Sequence, residues 1–224
     1  MRLGGIVIGA VAAVSLVAGC GGSGGNQSVP QPKPSTPRAE LLLTASDFPA
    51  GTKTEVIPPD KTDKTAETAE PSNSGQIPVT SIGCSTGTGS ESDKDSSAIL
   101  ASNDDHDLVY MERVADAAMN IGKIKDAILR ECADKTFHTS AGDVHRKTAV
   151  ISLPDGLHAD EAIEYRSDIT APRDEMNMET IAAFAIVRGM TVTLDATLLG
   201  SAVLDKAVFD RLFVAAVEKV VSAK

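Results

Sequence analysis

The second half of the chain carries the clearest alternation of apolar and polar positions. Residues 108–112 read as a short strand. Val114, Ala117, Ala118, Ile121, Ile124 and Ile128 then recur at steps of three and four, which predicts an amphipathic helix. Gly122 weakens that helix by ~1 kcal/mol relative to alanine. Residues 147–153 read as a strand with Ala149, Ile151 and Leu153 on one face. Ile163, Tyr165, Ser167 and Ile169 alternate with Glu164, Arg166 and Asp168, the pattern of a half-buried strand with one wet face. Residues 181–187 are apolar throughout and predict a central strand covered on both sides. Gly189 then marks a tight hairpin into Met190, Val192, Leu194, Ala196 and Leu198, which alternate with Thr191, Thr193, Asp195 and Thr197. Asp205 is placed to cap a last helix whose stripe includes Val208, Phe209, Leu212, Phe213, Ala216 and Val220. The order β-α-β-β-β-β-α predicts an α+β domain, an antiparallel sheet packed against two main helices.

Upstream the pattern loosens. Residues 40–48 carry a helical turn stopped by Pro49 and Gly51, and residues 53–57 a short strand. Residues 60–75 and 85–97 are polar and read as loops, with the apolar stretch 77–84 between them. Residues 21–38 are rich in Gly and Ser and then in Pro (Pro30, Pro32, Pro34, Pro37), the composition of a tether that is flexible first and extended later.

At the start, Arg2 precedes an uncharged apolar run that ends at Val17-Ala18-Gly19-Cys20. This is a secretory signal pattern, too short for a membrane span of about 20 apolar residues. The ending VAGC resembles a bacterial lipobox. Small residues at Ala18 and Gly19 admit a peptidase, and the Cys20 thiol is the nucleophile that accepts lipid. An ordinary signal peptide with an incidental cysteine is the alternative. The expected organisation is a signal peptide at 1–19, a lipidated Cys20 with a linker to residue 38, and one domain over 39–224. More than one acyl chain gives stable attachment, so the expected location is the extracytoplasmic face of the cell membrane, held there by the lipid.

Acids outnumber bases 31 to 21, for a net charge of −10. Nucleic acid is excluded as a partner on that balance, since phosphate binding needs a basic surface. Aromatic residues are 3% of the chain, with no Trp, so the flat rings that stack on sugars or bases are scarce. With Cys20 acylated, Cys84 and Cys132 remain as an even pair in an oxidising compartment. Cys132 lies one turn past Ile128 and should point inward. A Cys84–Cys132 disulfide would contribute ~4 kcal/mol on the chain-entropy model. Two buried free thiols, or a reactive Cys84, are the alternatives.

The VAGC ending, the Pro-rich tether, LLLTASDFPAGT at 41–52, Cys84 in a loop, Cys132 ending a helix and IVRGMTVTLDATL before a terminal helix together resemble small mycobacterial-type cell-envelope lipoproteins. These are similar in plan to the extracellular sensor domains of mycobacterial Ser/Thr kinases. The resemblance implies an α+β sandwich with a cleft. Those sensor domains carry two disulfides where this chain can form one.

Catalytic signatures are missing: the sequence has no G-x-S-x-G elbow, P-loop, G-x-G-x-x-G or H-E-x-x-H. Asp104-Asp105-His106-Asp107 is dense enough to suggest a cation site but lacks the glycine of a calcium loop, and reads as a solvated turn. His138, His145 and His158 read as surface residues. Asp143 with His145, and His158 with Asp160, pair acid and imidazole without a nucleophile. Met176 and Met178 have the sulfur of a copper site but no neighbouring His or Cys, and read as exposed loop residues. No metal or cofactor is expected. The function expected is a non-enzymatic ligand-binding or sensor-like domain for an envelope lipid, glycan or peptide. Small residues at Ala182, Ala183, Ala185 and Ala196 either leave a pocket for it or let a helix pack closely. The alternative is a structural or protein-interaction lipoprotein docking to an envelope complex.

Overall fold

The computed structural model describes residues 31–57, 96–116, 119–139, 142–171, 176–200 and 202–224. The signal segment, Cys20, the tether to residue 30, the loops at 60–75 and 85–95, the stretch 77–84, Cys84, Ala117 and Ala118 lie outside them.

The elements run α1 (Arg38–Leu41), β1 (Lys53–Ile57), β2 (Ser96–Asn103), β3 (Leu108–Ala115), α2 (Ile121–Arg130), β4 (Asp134–Thr139), β5 (Gly142–Ile151), β6 (Glu161–Ala171), β7 (Met176–Val187), β8 (Met190–Leu199) and α3 (Lys206–Val221). All eight strands join one antiparallel sheet in the order β1-β2-β3-β8-β7-β6-β5-β4. The described residues are thus mostly sheet, with three helices of which α1 is a single turn. Sheet outweighs helix more than the expected α+β plan of two main helices.

The main core lies on one face of the sheet. Ile181, Ala183, Ala185 and Val187 of β7 and the even positions of β8 from Met190 to Leu198 meet Phe209, Leu212, Phe213, Ala216, Val217 and Val220 of α3. Leu41, Leu42, Leu43 and Phe48 close the same core. On the opposite face Ile121, Ile124 and Ile128 of α2 pack on Ile163, Tyr165, Ala182 and Phe184. β7 is therefore covered on both sides, as its unbroken apolar run predicts.

Several local readings are corrected. Residues 96 and 97 belong to β2, with Ser96 and Ser97 buried. Val114 is a strand residue, because the helix starts only at Ile121, where the Asn120 side chain accepts from the Lys123 N–H. The β4 strand has no apolar alternation to announce it. In β5 the buried positions are Val144 and Thr148, while Ala149 is exposed. Met178 lies in β7 and is buried with Val144 and Ile169. Asp205 caps α3 as expected, accepting from the N–H groups of Ala207 and Val208 at 2.9 and 3.2 Å.

The β7–β8 hairpin turns on Arg188 and Gly189, both at positive φ (51° and 76°), the backbone of a two-residue turn that matches strand twist. Arginine is an uncommon residue there, and its contacts explain it. The guanidinium donates to the carbonyls of Val220, Val221 and Ala223 at 3.2, 3.2 and 2.6 Å, closing the C-terminal end of α3, and to Pro32 at 2.7 Å. Its backbone N–H donates to Asp160 at 3.1 Å.

Residues 32–38 lie along this end of the domain. Ser35 N–H donates to the Lys224 carbonyl at 2.6 Å, and Lys33 and Arg38 both pair with Asp116. Such exposed pairs contribute about 0–1 kcal/mol each. Leu41, Leu42 and Leu43, each 2% exposed, hold the chain by roughly 1.5–3 kcal/mol apiece.

Arg188→Lys keeps the charge but not the planar fork. It is expected to lower stability by about 1–2 kcal/mol through lost charge-assisted hydrogen bonds. Urea unfolding checks this; an unchanged midpoint would show that the fork does not hold the end of α3.

Candidate functional site

On the face of the sheet that carries α2, a row of hydroxyl residues runs between two apolar clusters, one around Tyr165 and Phe184 and one of Val144, Ile169 and Met178. Strand register sets Thr148, Ser167, Thr180 and Thr197 in one row across β5, β6, β7 and β8. Their hydroxyls form a ladder: Thr148 to Ser167 at 2.6 Å and Thr180 to Thr197 at 3.2 Å, with Arg146 Nε donating to Ser167 at 3.0 Å. The next row holds Tyr165, Ala182, Asp195 and Met111. Tyr165 is buried and stacks on Phe184, ring centroids 6.0 Å apart, where α2 covers it.

Asp195 is half-buried on this face. Burial pushes its carboxyl up to about 6, opposed by the charge of Arg113. Burial and the Asp195 charge raise the Tyr165 phenol, against Arg146, and burial lowers the Arg146 guanidinium. Thr148 and Ser167 are buried, so the accessible part of the strip is Thr180 and Thr197, which donate and accept hydrogen bonds, beside a carboxyl that changes charge between acid and neutral pH. A perturbed carboxyl among polar groups makes this face a candidate binding surface. Sequence reading recorded Asp195 and the threonines only as the outward half of an alternation; the β5–β8 register that aligns them is a long-range property.

The histidines lie away from this strip. His138 pairs with Asp143 at 2.7 Å across β4 and β5, His145 with Thr136 at 3.0 Å, and His158 with Glu218 of α3 at 2.5 Å. The sequence neighbours Asp143–His145 and His158–Asp160 are not the pairs that form, since Asp160 accepts from Arg188 instead. Asp104, Asp105 and His106 form a single 3-10 turn, and His106 and Asp107 are exposed. Among the described residues no three His, Cys, Asp or Glu gather as metal ligands. Cys132 follows α2 and is 2% exposed; Cys84 and Cys20 lie outside the described residues.

The four alanines line no pocket. Ala182, Ala183, Ala185 and Ala196 are all fully buried, the last three under α3 and Ala182 under α2. Of the two uses open to small residues, the fold takes close helix packing.

Three glutamates are buried on the α3 face; the expected wet face of β6 holds at Arg166 and Asp168 and fails at Glu164. Glu112 accepts from the Leu43 N–H at 2.7 Å through Oε2, while Oε1 makes no hydrogen bond; burial raises its carboxyl to about 8. The first turn of α3 covers Glu164, whose Oε1 lies 3.0 Å from Lys206 Nζ. Burial outweighs that pairing and raises Glu164 to about 7. Glu179 accepts from Leu204 N–H at 3.0 Å and pairs with Arg166 at 3.1 Å.

Two mycobacterial structures are similar to this chain. An Rv0999 ortholog from Mycobacterium smegmatis is 16% identical, with a TM-score of 0.44 over 79% of this chain and 93% of that one. The extracellular domain of PknH from Mycobacterium tuberculosis is 17% identical, with a TM-score of 0.43 over 86% of this chain and 98% of that one. At these TM-scores neither bears on what the α2 face does. No protein-family model matches the chain, and no curated protein matches it.

Raised carboxyls give the pH dependence a definite sign. Glu112, Glu164 and Asp195 hold their protons in the fold to about 8, 7 and 6, against 4.5, 4.5 and 3.8 for the free groups. Their contribution to stability is therefore fully present below the lower values and is lost as pH rises through the upper ones. Each group in its window contributes a slope on the order of 1.4 kcal/mol per pH unit. Denaturant midpoints from pH 4.5 to 8.5 should fall, and Glu112→Gln should flatten the upper part of that fall. A variant that falls as steeply as the parent would remove Glu112 as a cause. Separately, carbon-detected NMR should place the Asp195 carboxyl transition near 6; a transition at the ordinary aspartate position would show the carboxyl to be fully solvated.

Proposed function

We propose that this chain is an exported, membrane-anchored envelope protein whose domain binds a polar ligand without catalysis, as a sensor-like module. The observation that carries the reading is the trio of half-buried Thr180, Thr197 and Asp195 on one face, backed by the buried Thr148–Ser167 pair. Of the lipid, glycan or peptide ligands that the sequence leaves open, this face suits the glycan or peptide, whose hydroxyl and amide edges match it. An acyl chain would need the apolar pocket that the packed alanines do not provide. Burial of Cys132 supports its pairing with Cys84, and the VAGC sequence supports acylation of Cys20.

Native mass spectrometry of the mature chain, purified from an actinobacterial host, tests the ligand. The expected result is an added mass released as glycan or peptide. On adding it back, NMR shift changes should centre on Thr180, Thr197 and Asp195, and Asp195→Asn should weaken binding at least several-fold. An unliganded chain that instead recovers one stoichiometric envelope protein after cross-linking would replace this reading with that of an interaction lipoprotein. Palmitate-analogue labelling that persists in Cys20→Ser would sink the anchor. An intact mass equal to the fully reduced value would sink the disulfide.

A further inference from the structure

Residues 32–38 and residues 41–43 are held by two different kinds of force. The first segment has three attachment points, all polar and either exposed or only half-buried. The Pro32 carbonyl accepts from Arg188 at 2.7 Å. Ser35 and Thr36 converge on the single carbonyl of Lys224, at backbone distances of 2.6 and 3.3 Å. Lys33 and Arg38 share the one carboxylate of Asp116. An open cavity of about 570 Å³ lies against this segment, lined also by Ser97 and Asp116, so the strap rests on few atoms. The second segment is different: Leu41, Leu42 and Leu43 are buried in the main core. The Leu42 carbonyl also accepts from Lys219 at 2.7 Å, and the Leu43 N–H donates to Glu112.

We propose that residues 32–38 form a detachable strap with a built-in stop at Leu41. Salt, or tension from the preceding chain, unzips it from Pro32 to Arg38 while the three leucines hold. Ion pairs at this exposure are screened by salt, whereas apolar burial is not weakened by it. Seven residues freed and extended would add at most about 25 Å of reach at ~3.3–3.6 Å per residue. That extra reach serves the domain only if the preceding segment is anchored as proposed above; the unzipping itself does not depend on the anchor.

Trypsin reads the strap directly, because the Arg38–Ala39 bond sits at its end and Lys33 is shielded by Pro34. With the full chain, and rates normalised to a peptide spanning Arg38, cutting at Arg38 should rise at least severalfold between low and high salt. Asp116→Asn should cut fast at low salt already, and so should Lys33→Ser to a lesser degree. In parallel, NMR amide signals of Ser35 and Thr36 should move to solvent-exposed positions while those of Leu41, Leu42 and Leu43 stay put. A cutting rate indifferent to salt and to both variants would overturn the strap. Movement of the leucine amides together with Ser35 would overturn the stop. Neither arm involves lipid, so loss of the membrane anchor in Cys20→Ser leaves both results standing.

Discussion

The close seating of α3 on the sheet is the constraint from which the rest of the structure follows. Phe209, Leu212 and Phe213 project from the helix onto strands whose facing positions include Ala183, Ala185 and Ala196, all fully buried. Large side chains on the helix and small ones on the sheet interdigitate, as close-packed interiors require. Polar contacts then fix the position of the helix along the sheet. Asp205 caps its first turn, Lys206 reaches Glu164, Lys219 reaches the Leu42 carbonyl, and Arg188 closes its last carbonyls. The Asp205 cap travels with the helix, but a helix slid by one turn would lose the other three at once. Arg188 also explains how a hairpin, a helix end and the N-terminal segment come to share one residue: each presents carbonyls that its fork can satisfy.

The buried glutamates belong to this same constraint. A carboxylate under a helix is unfavourable unless it is paired or protonated, and the three are met in different ways. Glu112 keeps its proton to about 8, Glu164 combines a raised carboxyl with Lys206, and Glu179 takes Arg166 and a backbone N–H. Apolar residues of similar volume would often be as stable or more so. Each glutamate instead binds a group at a segment boundary: Leu43 where the N-terminal segment enters, Lys206 and Leu204 where α3 begins. They act as registration points for the two segments that cover the apolar face.

What the sequence made legible follows from how local the controlling interaction is. The β7–β8 hairpin, the Asp205 cap and the stripe of α3 rest on spacing within about a dozen residues, and each lies where the pattern put it. β2 and β4 were obscured because SSAILASN and DKTFHT lack alternation; they become strands through partners in β3 and β5. Val114 was misread because a strand end and a helix start fall at helical spacing by coincidence. Glu164 looked wet because alternation says which side chains share a face, not which helix will cover that face. The candidate site suffers most from this limit. Asp195 and the four hydroxyl residues come from four strands between residues 148 and 197, and only the register unites them.

That register also bears on how strongly such a face can hold a ligand. Thr148 and Ser167 are buried, so a ligand meets Thr180 and Thr197, whose hydroxyls are already paired; it gains no release from unsatisfied groups and uses the lone pairs and protons those two keep. The face is built in advance, which spares ordering entropy. Its exposed apolar area lies beside Thr197, at Val109 and Leu199, while Tyr165 is already taken by α2. Geometry of this kind favours selectivity by shape and hydrogen-bond pattern over high affinity. Asp195 adds one more dependence. With its carboxyl near 6, the face carries the positive charges of Arg113 and Arg146 in acid and gains a negative charge above that pH, so a ligand would meet two different surfaces on either side of it.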